Sequence, residues 1–398
     1  MNTIFKNHSV SKIELNSPLA TSINTIKQMA ADNTLAIGKP KQTDEPWRRT
    51  NIKSFNLETF TPNSEGISFS LDMDEQAFDI LPISDAIQKY PDQVSKIFGK
   101  IVTKEDGFFG EFALATTQNT LFVYLPKNTT ATTTPHIQIN LNDENTLGSA
   151  HILVYADDNA SGELYISYSS LQDKNIAYTG ITEVFLGNNT SFTLIEKQEF
   201  GKQTWNMMTE KAIVNQNSNL KWIHGGFGSL LTKNFSTVEL HDKGSEARLY
   251  GAIFVNKDQL LDYDTQQNHL APHTFSDLDF KIAAKENGRS VWQGMIYVDP
   301  IAQQTDAYQN NQNLILSEEA HIDAIPGLEI QANDVSCSHG SSMLNLLERE
   351  IFYLLSRGID KETAEKTLIE GYFHAVTDHI DNEEIKEEFA LSIENKLQ

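Results

Sequence analysis

From about residue 108 the chain changes period. Before that point apolar residues recur at helical spacing. Ser17-Pro18 reads as a helix start, with a capping serine and a proline at the first helical position. Leu19, Ile23, Ile26 and Ala30 then fall on one face. A helical pair is predicted around 84–89 and 91–98, with Pro91 forcing the break. After residue 108 come short runs, several of which alternate apolar with polar residues as half-buried strands do. They lie at 121–125, 136–141, 151–155, 163–168, 191–195, 248–255, 291–298 and 328–330. Asn/Gly/Asp/Ser turns separate them at 187–189, 215–219, 242–245 and 286–289.

So many strands with almost no amphipathic helix among them suit a sandwich, a propeller or a parallel β-helix. A propeller should repeat every ~40 residues with a blade signature, and none is visible. The turns look irregularly spaced, which a β-helix with coils of variable length tolerates. Helical segments at both ends would supply the caps that a β-helix needs.

After Gly340 the helical period returns. Leu347, Ile351, Leu354 and Leu355 share one face. Gly358 reads as a C-cap and Asp360 as the next N-cap. Ala364, Leu368, Tyr372 and Val376 follow, and then Ile385, Phe389 and Ile393. Residues 347–398 carry thirteen Asp/Glu against six Lys/Arg. Short acidic helices of this kind are marginal alone and must find a surface to cover. Removal of residues 345–398 is expected to leave a folded β core.

Charge and cysteine usage narrow the chemistry. A net charge of −23 over 398 residues, with no basic cluster, argues against nucleic-acid binding. The single cysteine excludes an intrachain disulfide and any self-contained thiolate cluster or zinc site, which need about four ligands. It fits a reducing, cytoplasmic compartment. No leader pattern and no membrane span are expected. The sequence has no phosphate loop, no nucleophile elbow and no His-Glu-x-x-His motif. Gly225-Gly226-Phe-Gly228 lacks dinucleotide-fingerprint spacing and reads as a turn.

The candidate chemistry sits in Asp334-Val-Ser-Cys337-Ser-His339-Gly340. Cys337 and His339 are one residue apart, so on an extended strand they share a face. Neutral imidazole is a borderline ligand that suits iron, and Ser338 and Gly340 leave room for close approach. The plain alternatives are a histidine satisfying backbone groups between a strand ending near 335 and a helix starting near 342, and a buried apolar cysteine. His273 with Asp277 and Asp279 could bind a divalent metal, but scattered histidines, including His269 and His321, are more often simple hydrogen-bonding residues. Glu329 reads as structural. Asp157-Asp158 and Asp277/Asp279 are the carboxylates that a β-helix polysaccharide lyase or hydrolase would need.

That segment is followed by Phe352-Tyr353-Leu-Leu-Ser-Arg357-Gly358-Ile. It is preceded by Pro272-His273-Thr, Asp279-Phe-Lys, Gly288-Arg-Ser-Val-Trp292-Gln-Gly294, Leu314-Ile-Leu and Pro326-Gly-Leu-Glu329-Ile, with Glu45-Pro-Trp47-Arg-Arg-Thr50 far upstream. In this order the motifs resemble the SufB/SufD family of iron–sulfur cluster assembly proteins, and its SufD-type members in particular. The resemblance implies a mainly β protein, with a right-handed parallel β-helix flanked by helical domains. It divides the chain into 1–107 (N-terminal helical/loop), 108–340 (β-helix) and 341–398 (C-terminal helical, ATPase docking). It implies a non-catalytic scaffold that forms a heterodimer with a SufB-type paralogue, or a homodimer when isolated, and that carries a SufC-type ATPase on its C-terminal helices. It implies a transient iron–sulfur cluster at the shared interface and no permanently bound cofactor. His339 would be the metal ligand, with Cys337 beside it. Family members often have Gly at the position of Leu344 and a capping Asp at that of Leu347, so the helix is expected to start early, capped by Ser341 or Ser342. A purely structural adaptor without metal contact remains the nearest rival.

Overall fold

The computed structural model describes residues 5, 8–62, 67–72, 77–345 and 348–397. The alternating runs form a parallel β-helix. Its first sheet, A, stacks Asn119–Leu125, Thr146–Ala156, Ile176–Leu186, Thr204–Val214, Leu231–Leu240, Leu260–His269, Arg289–Val298 and His321–Ile330. Its second, B, stacks His136–Leu141, Ser161–Ser170, Ser191–Glu199, Asn219–Gly226, Glu246–Val255, Phe275–Ala284, Asp306–Ile315 and Ser336–Asn345. Antiparallel strands close the N-terminal edges: Asp79–Pro82 on sheet A and Ile67–Asp72 on sheet B. Strand parity puts every second side chain in the lumen, where Ile, Leu, Val, Tyr and Trp fill one continuous core.

The turns are more regular than their sequence suggests. Register partners lie between 26 residues apart (Trp205 to Leu231) and 32 apart (Arg289 to His321). One corner repeats a left-handed residue at Asn128, Asn159, Asn189, Asn217, Gly244, His273 and Gln304. The left-handed region costs asparagine less than most residues. The asparagine amides also bond up the stack: Asn159 donates to Asn128, Asn189 to Asn159 and Asn217 to Asn189. The repeat is one of backbone conformation, carried by changing residue types.

Helix α1 (Pro18–Ile37) starts where expected, with Ser17 Oγ accepting from the Ala20 amide. Helices α2 (Ile83–Lys89) and α3 (Pro91–Ile97) break at Pro91. Helix α4 (Phe108–Thr116) lies where the sequence suggested strand. It is apolar almost all round and buried, so no amphipathic period marks it. These helices cover the N-terminal part of sheet A.

The Trp47 segment is clamped to the outside of the same sheet. Trp47 packs on Phe109 and Phe235, and Thr50 donates to Asp262. Lys233 is fully buried, 2.8 Å from Asp262 and 2.9 Å from Asp264, with its ammonium over the Trp47 and Phe235 rings.

At the other end the strand–helix boundary moves. Residues 336–345 are strand throughout, so Ser341, Ser342 and Leu344 belong to the last rung rather than to a helix start. Helix α5 (Glu348–Ser356) begins later, and Leu347 lies outside the described residues. Helix α6 (Lys361–Thr377) is capped by Asp360, as predicted, and α7 (Glu383–Leu397) follows. Ile369, Phe373, Val376, Ile385, Phe389 and Ile393 pack into the outer face of sheet B against Ile195, Ile223, Tyr250 and Phe254. A Cβ on Gly225 would lie 2.6 Å from the Phe389 ring, so glycine there permits the close approach of α7. The tail is therefore part of the β core's packing. Its removal would bare an apolar sheet face, which corrects the expectation that residues 345–398 are dispensable for folding.

Candidate functional site

The two ends of the solenoid are built differently. The N-terminal end is closed by antiparallel strands and helices. The C-terminal end stops at His321–Ile330 and Ser336–Asn345, beyond which neither sheet has a further strand among the described residues. Leu328, Ile330, Met343 (53% exposed) and Leu344 are exposed on this last rung. Unpaired strand edges beside exposed apolar side chains form a surface suited to strand addition.

His339 sits in the middle of this rung, paired in register with Gln309, while Cys337 pairs with Ala307. His339 is therefore a mid-strand residue, not one at a strand–helix junction. The two side chains share the inward parity of the strand, spaced roughly 7 Å along it. Cys337 is half-buried against a small apolar cluster with Ala307, Ala332 and Val335. Burial, reinforced by Asp306, raises its thiol pKa. His339 is exposed, because no further coil covers it. The floor beneath it is polar. Gln309, Asn311 and Asn313 occupy the inward positions that Leu278, Phe280 and Ile282 hold one coil earlier. Gln309 spans the lumen, donating to the carbonyls of Gly294 and Gly327. The open end thus offers one imidazole, one nearby thiol and a polar cup.

The remaining sequence candidates are spent elsewhere. Asp157 accepts from Tyr124, and Asp158 is occupied by Lys127 and the Asn188 amide. Asp279 pairs with Lys281 and accepts from Asn310. His273 is a left-handed corner residue. His269 is buried and tied to Thr274 and Ser276, and burial lowers its pKa to about 3.

Sequence reasoning missed a polar cluster deep in the lumen. Glu196, Glu210 and His224 each place a ligand atom within 4.8 Å of the others, the one such grouping among the described residues. Glu196 accepts from Tyr168 (2.8 Å), Trp222 Nε1 (2.8 Å) and Thr182 (3.2 Å). Glu210 accepts from Ser236 (2.5 Å) and Asn234 (3.0 Å). Burial raises the pKa of both carboxylates, and the charge of Glu196 adds to the rise at Glu210. Burial lowers His224 to about 3. Two signals in the sequence mark this cluster. Glu196 has the same strand parity as the core residues Phe192 and Leu194, and His224 follows one coil later as its register partner.

The fold and open end define a class: a capped parallel β-helix with one uncovered terminal rung that carries an exposed, inward-parity histidine. Residues 136–372 match the SUF system FeS cluster assembly SufBD core domain. An iron–sulfur cluster assembly SufBD family protein of Staphylococcus aureus (strain MRSA252) is 25% identical over 328 residues, covering 82% of this chain and 69% of the relative. One from Staphylococcus saprophyticus is 25% identical over 313 residues, covering 78% of this chain and 66% of the relative. This chain belongs to the SufB/SufD family of iron–sulfur cluster assembly proteins. Among the described residues, no helix is long and apolar enough to cross a membrane.

Proposed function

We propose that this chain is the SufD-type, non-catalytic half of a cluster-assembly scaffold. Its open rung pairs with the corresponding end of a SufB-type paralogue. The nascent iron–sulfur cluster is held between them as cargo, with His339 supplying one ligand from this side and Cys337 close by. The observation that carries the reading is the uncovered terminal rung, where exposed apolar residues flank an exposed inward-parity histidine. Pairing there extends both sheets and buries Leu328, Ile330, Met343 and Leu344. A ligand set divided between two chains lets the cluster leave when the interface opens. In isolation the same end can pair with a second copy of this chain.

Helix α5 supports a second contact. Phe352 (71% exposed), Tyr353 and Leu355 stand out on a helix whose neighbours α6 and α7 bury their apolar faces. This surface suits a SufC-type ATPase, and closure of the ATPase pair would supply the differential binding that shifts the scaffold interface.

The test is co-expression with SufB-type and SufC-type partners, followed by iron and sulfide analysis of the purified complex. His339→Ala should cut cluster content severely while changing stability by no more than about 1 kcal/mol, since the side chain is exposed. Cys337→Ser should have the smaller effect. Full iron and sulfide in the His339→Ala complex would favour the purely structural adaptor.

A further inference from the structure

We propose that Glu196, Glu210 and His224 form a binding site for one divalent transition-metal ion inside the β-helix, with Asn234 as a fourth donor. The inference does not depend on the role of His339.

Geometry is the first argument. His224 Nδ1 lies 3.6 Å from Glu210 Oε2, too long for a hydrogen bond. Two donors on a tetrahedral shell of ~2.1 Å bonds lie about 3.4 Å apart, so the gap has the length of one edge of a metal site. Proton accounting points the same way. The single Ser236 hydroxyl proton is committed to Glu210 at 2.5 Å. His224 Nε2, at 3.4 Å from the same oxygen, is then the donor in that contact. Nδ1 then carries a lone pair 3.6 Å from Glu210 Oε2, a pair of donors that a cation between them would bridge.

Asn234 is the second, independent observation. It is 4% exposed, its amide nitrogen donates to Glu210, and its Oδ1 has no hydrogen-bond partner. A half-turn of the amide would present that orphan oxygen where the nitrogen now meets Glu210. The donor set would then be one imidazole, two carboxylates and one amide oxygen, without sulfur. It suits Fe²⁺, Mn²⁺, Co²⁺ or Zn²⁺ and not Cu⁺. A divalent ion would also balance the two carboxylate charges, both of which are buried. Tyr168, Trp222 and Thr182 hold Glu196, and Ser236 ties Glu210 to His224, which is the outer-shell support that a metal site needs.

The experiment uses the full chain, stripped of metal and refolded anaerobically with Co²⁺ as the probe, because all three ligands are buried once folded. After desalting, wild type, His339→Ala and Cys337→Ser should each retain about one equivalent, with a visible spectrum free of sulfur-to-cobalt charge transfer. Glu196→Gln and Glu210→Gln keep side-chain volume. They should refold by circular dichroism and retain less than about a tenth of an equivalent. The wild-type melting temperature should rise with Co²⁺ and that of Glu210→Gln should not. If a glutamine variant fails to refold, X-ray absorption on the wild-type Co²⁺ form decides by the presence of one imidazole among oxygen donors. Wild type retaining under half an equivalent, binding that survives both glutamine variants, binding lost in His339→Ala, or a cobalt shell without imidazole would each overturn the proposal.

Discussion

Lys233→Met removes the cation on which the N-terminal clamp depends. Lys233 and Asp262 are both fully buried, and Lys233 Nζ is 2.8 Å from Asp262 and 2.9 Å from Asp264. Without it, Asp262 keeps only the Thr50 hydroxyl on one oxygen, and its other oxygen already lacks a partner. Removing one member of a buried pair costs about 3–5 kcal/mol, because the other charge is left desolvated and unpaired. The ammonium also sits 4.8 Å from the Phe235 ring and 5.6 Å from the Trp47 ring, adding about 1 kcal/mol. For a chain of this length such a loss lowers the melting temperature by about 5–7 °C. The segment from Lys39 to Thr50 should become sensitive to trypsin, because Trp47 loses the ammonium over its ring and Thr50 is left on an unpaired carboxylate. The double variant Lys233→Met/Asp262→Asn should recover most of the loss, since no unpaired charge remains. Thermal melting and timed proteolysis with mass spectrometry provide the readout. A single variant that melts within about 1 °C of wild type with an unchanged cleavage pattern would refute the clamp. So would a double variant as unstable as the single.

Three further outcomes follow from the packing. Burial and the charge of Asp262 raise the Asp264 pKa to about 7, against ~3.9 when unfolded, so the folded state holds a proton that the unfolded chain has released. Stability should fall as pH rises from about 4 to 7, and Asp264→Asn should flatten that slope and melt higher than wild type at pH 8; parallel slopes would count against this. Phe352→Ser/Tyr353→Ser should abolish capture of the SufC-type ATPase in pull-downs while leaving the melting temperature unchanged, and undiminished capture would remove α5 as the docking element. Asn189→Ala should cost about 1–3 kcal/mol in chemical denaturation, because it breaks two rungs of the corner ladder and puts alanine at φ 55°; Asn189→Gly, which relieves the backbone, should cost about 1 kcal/mol less, and equal losses would assign the effect to the side chain alone.

The fold was legible where one face of an element is buried and the other is not. Strand alternation in 136–141 and the helical spacing of Ile385, Phe389 and Ile393 both reflect such half-burial. Helix α4 was not legible, because a helix buried all round loses its period. The coil repeat was partly hidden, since the corner needs a left-handed residue and asparagine, glycine, histidine and glutamine all serve. Cys337 and His339 were found through their spacing and through the resemblance. Their setting was misread, because the residues that decide strand or helix after Gly340 are stabilised by register with Asp306–Ile315. The lumen cluster was overlooked because its three members sit on separate strands, and only parity and coil length bring them together.

The uncovered last rung also has a consequence for folding. In a stack where each coil rests on its neighbours, an interior coil is held from two sides and a terminal one from one. The C-terminal rung is therefore where the stack should fray, and amide exchange should quicken from Phe275–Ala284 through Asp306–Ile315 to Ser336–Asn345. Anything that seats against that rung turns an end coil into an interior one, so the order of the strand bearing His339 becomes a function of partner concentration. On dilution His339 would be among the first side chains to lose a fixed position.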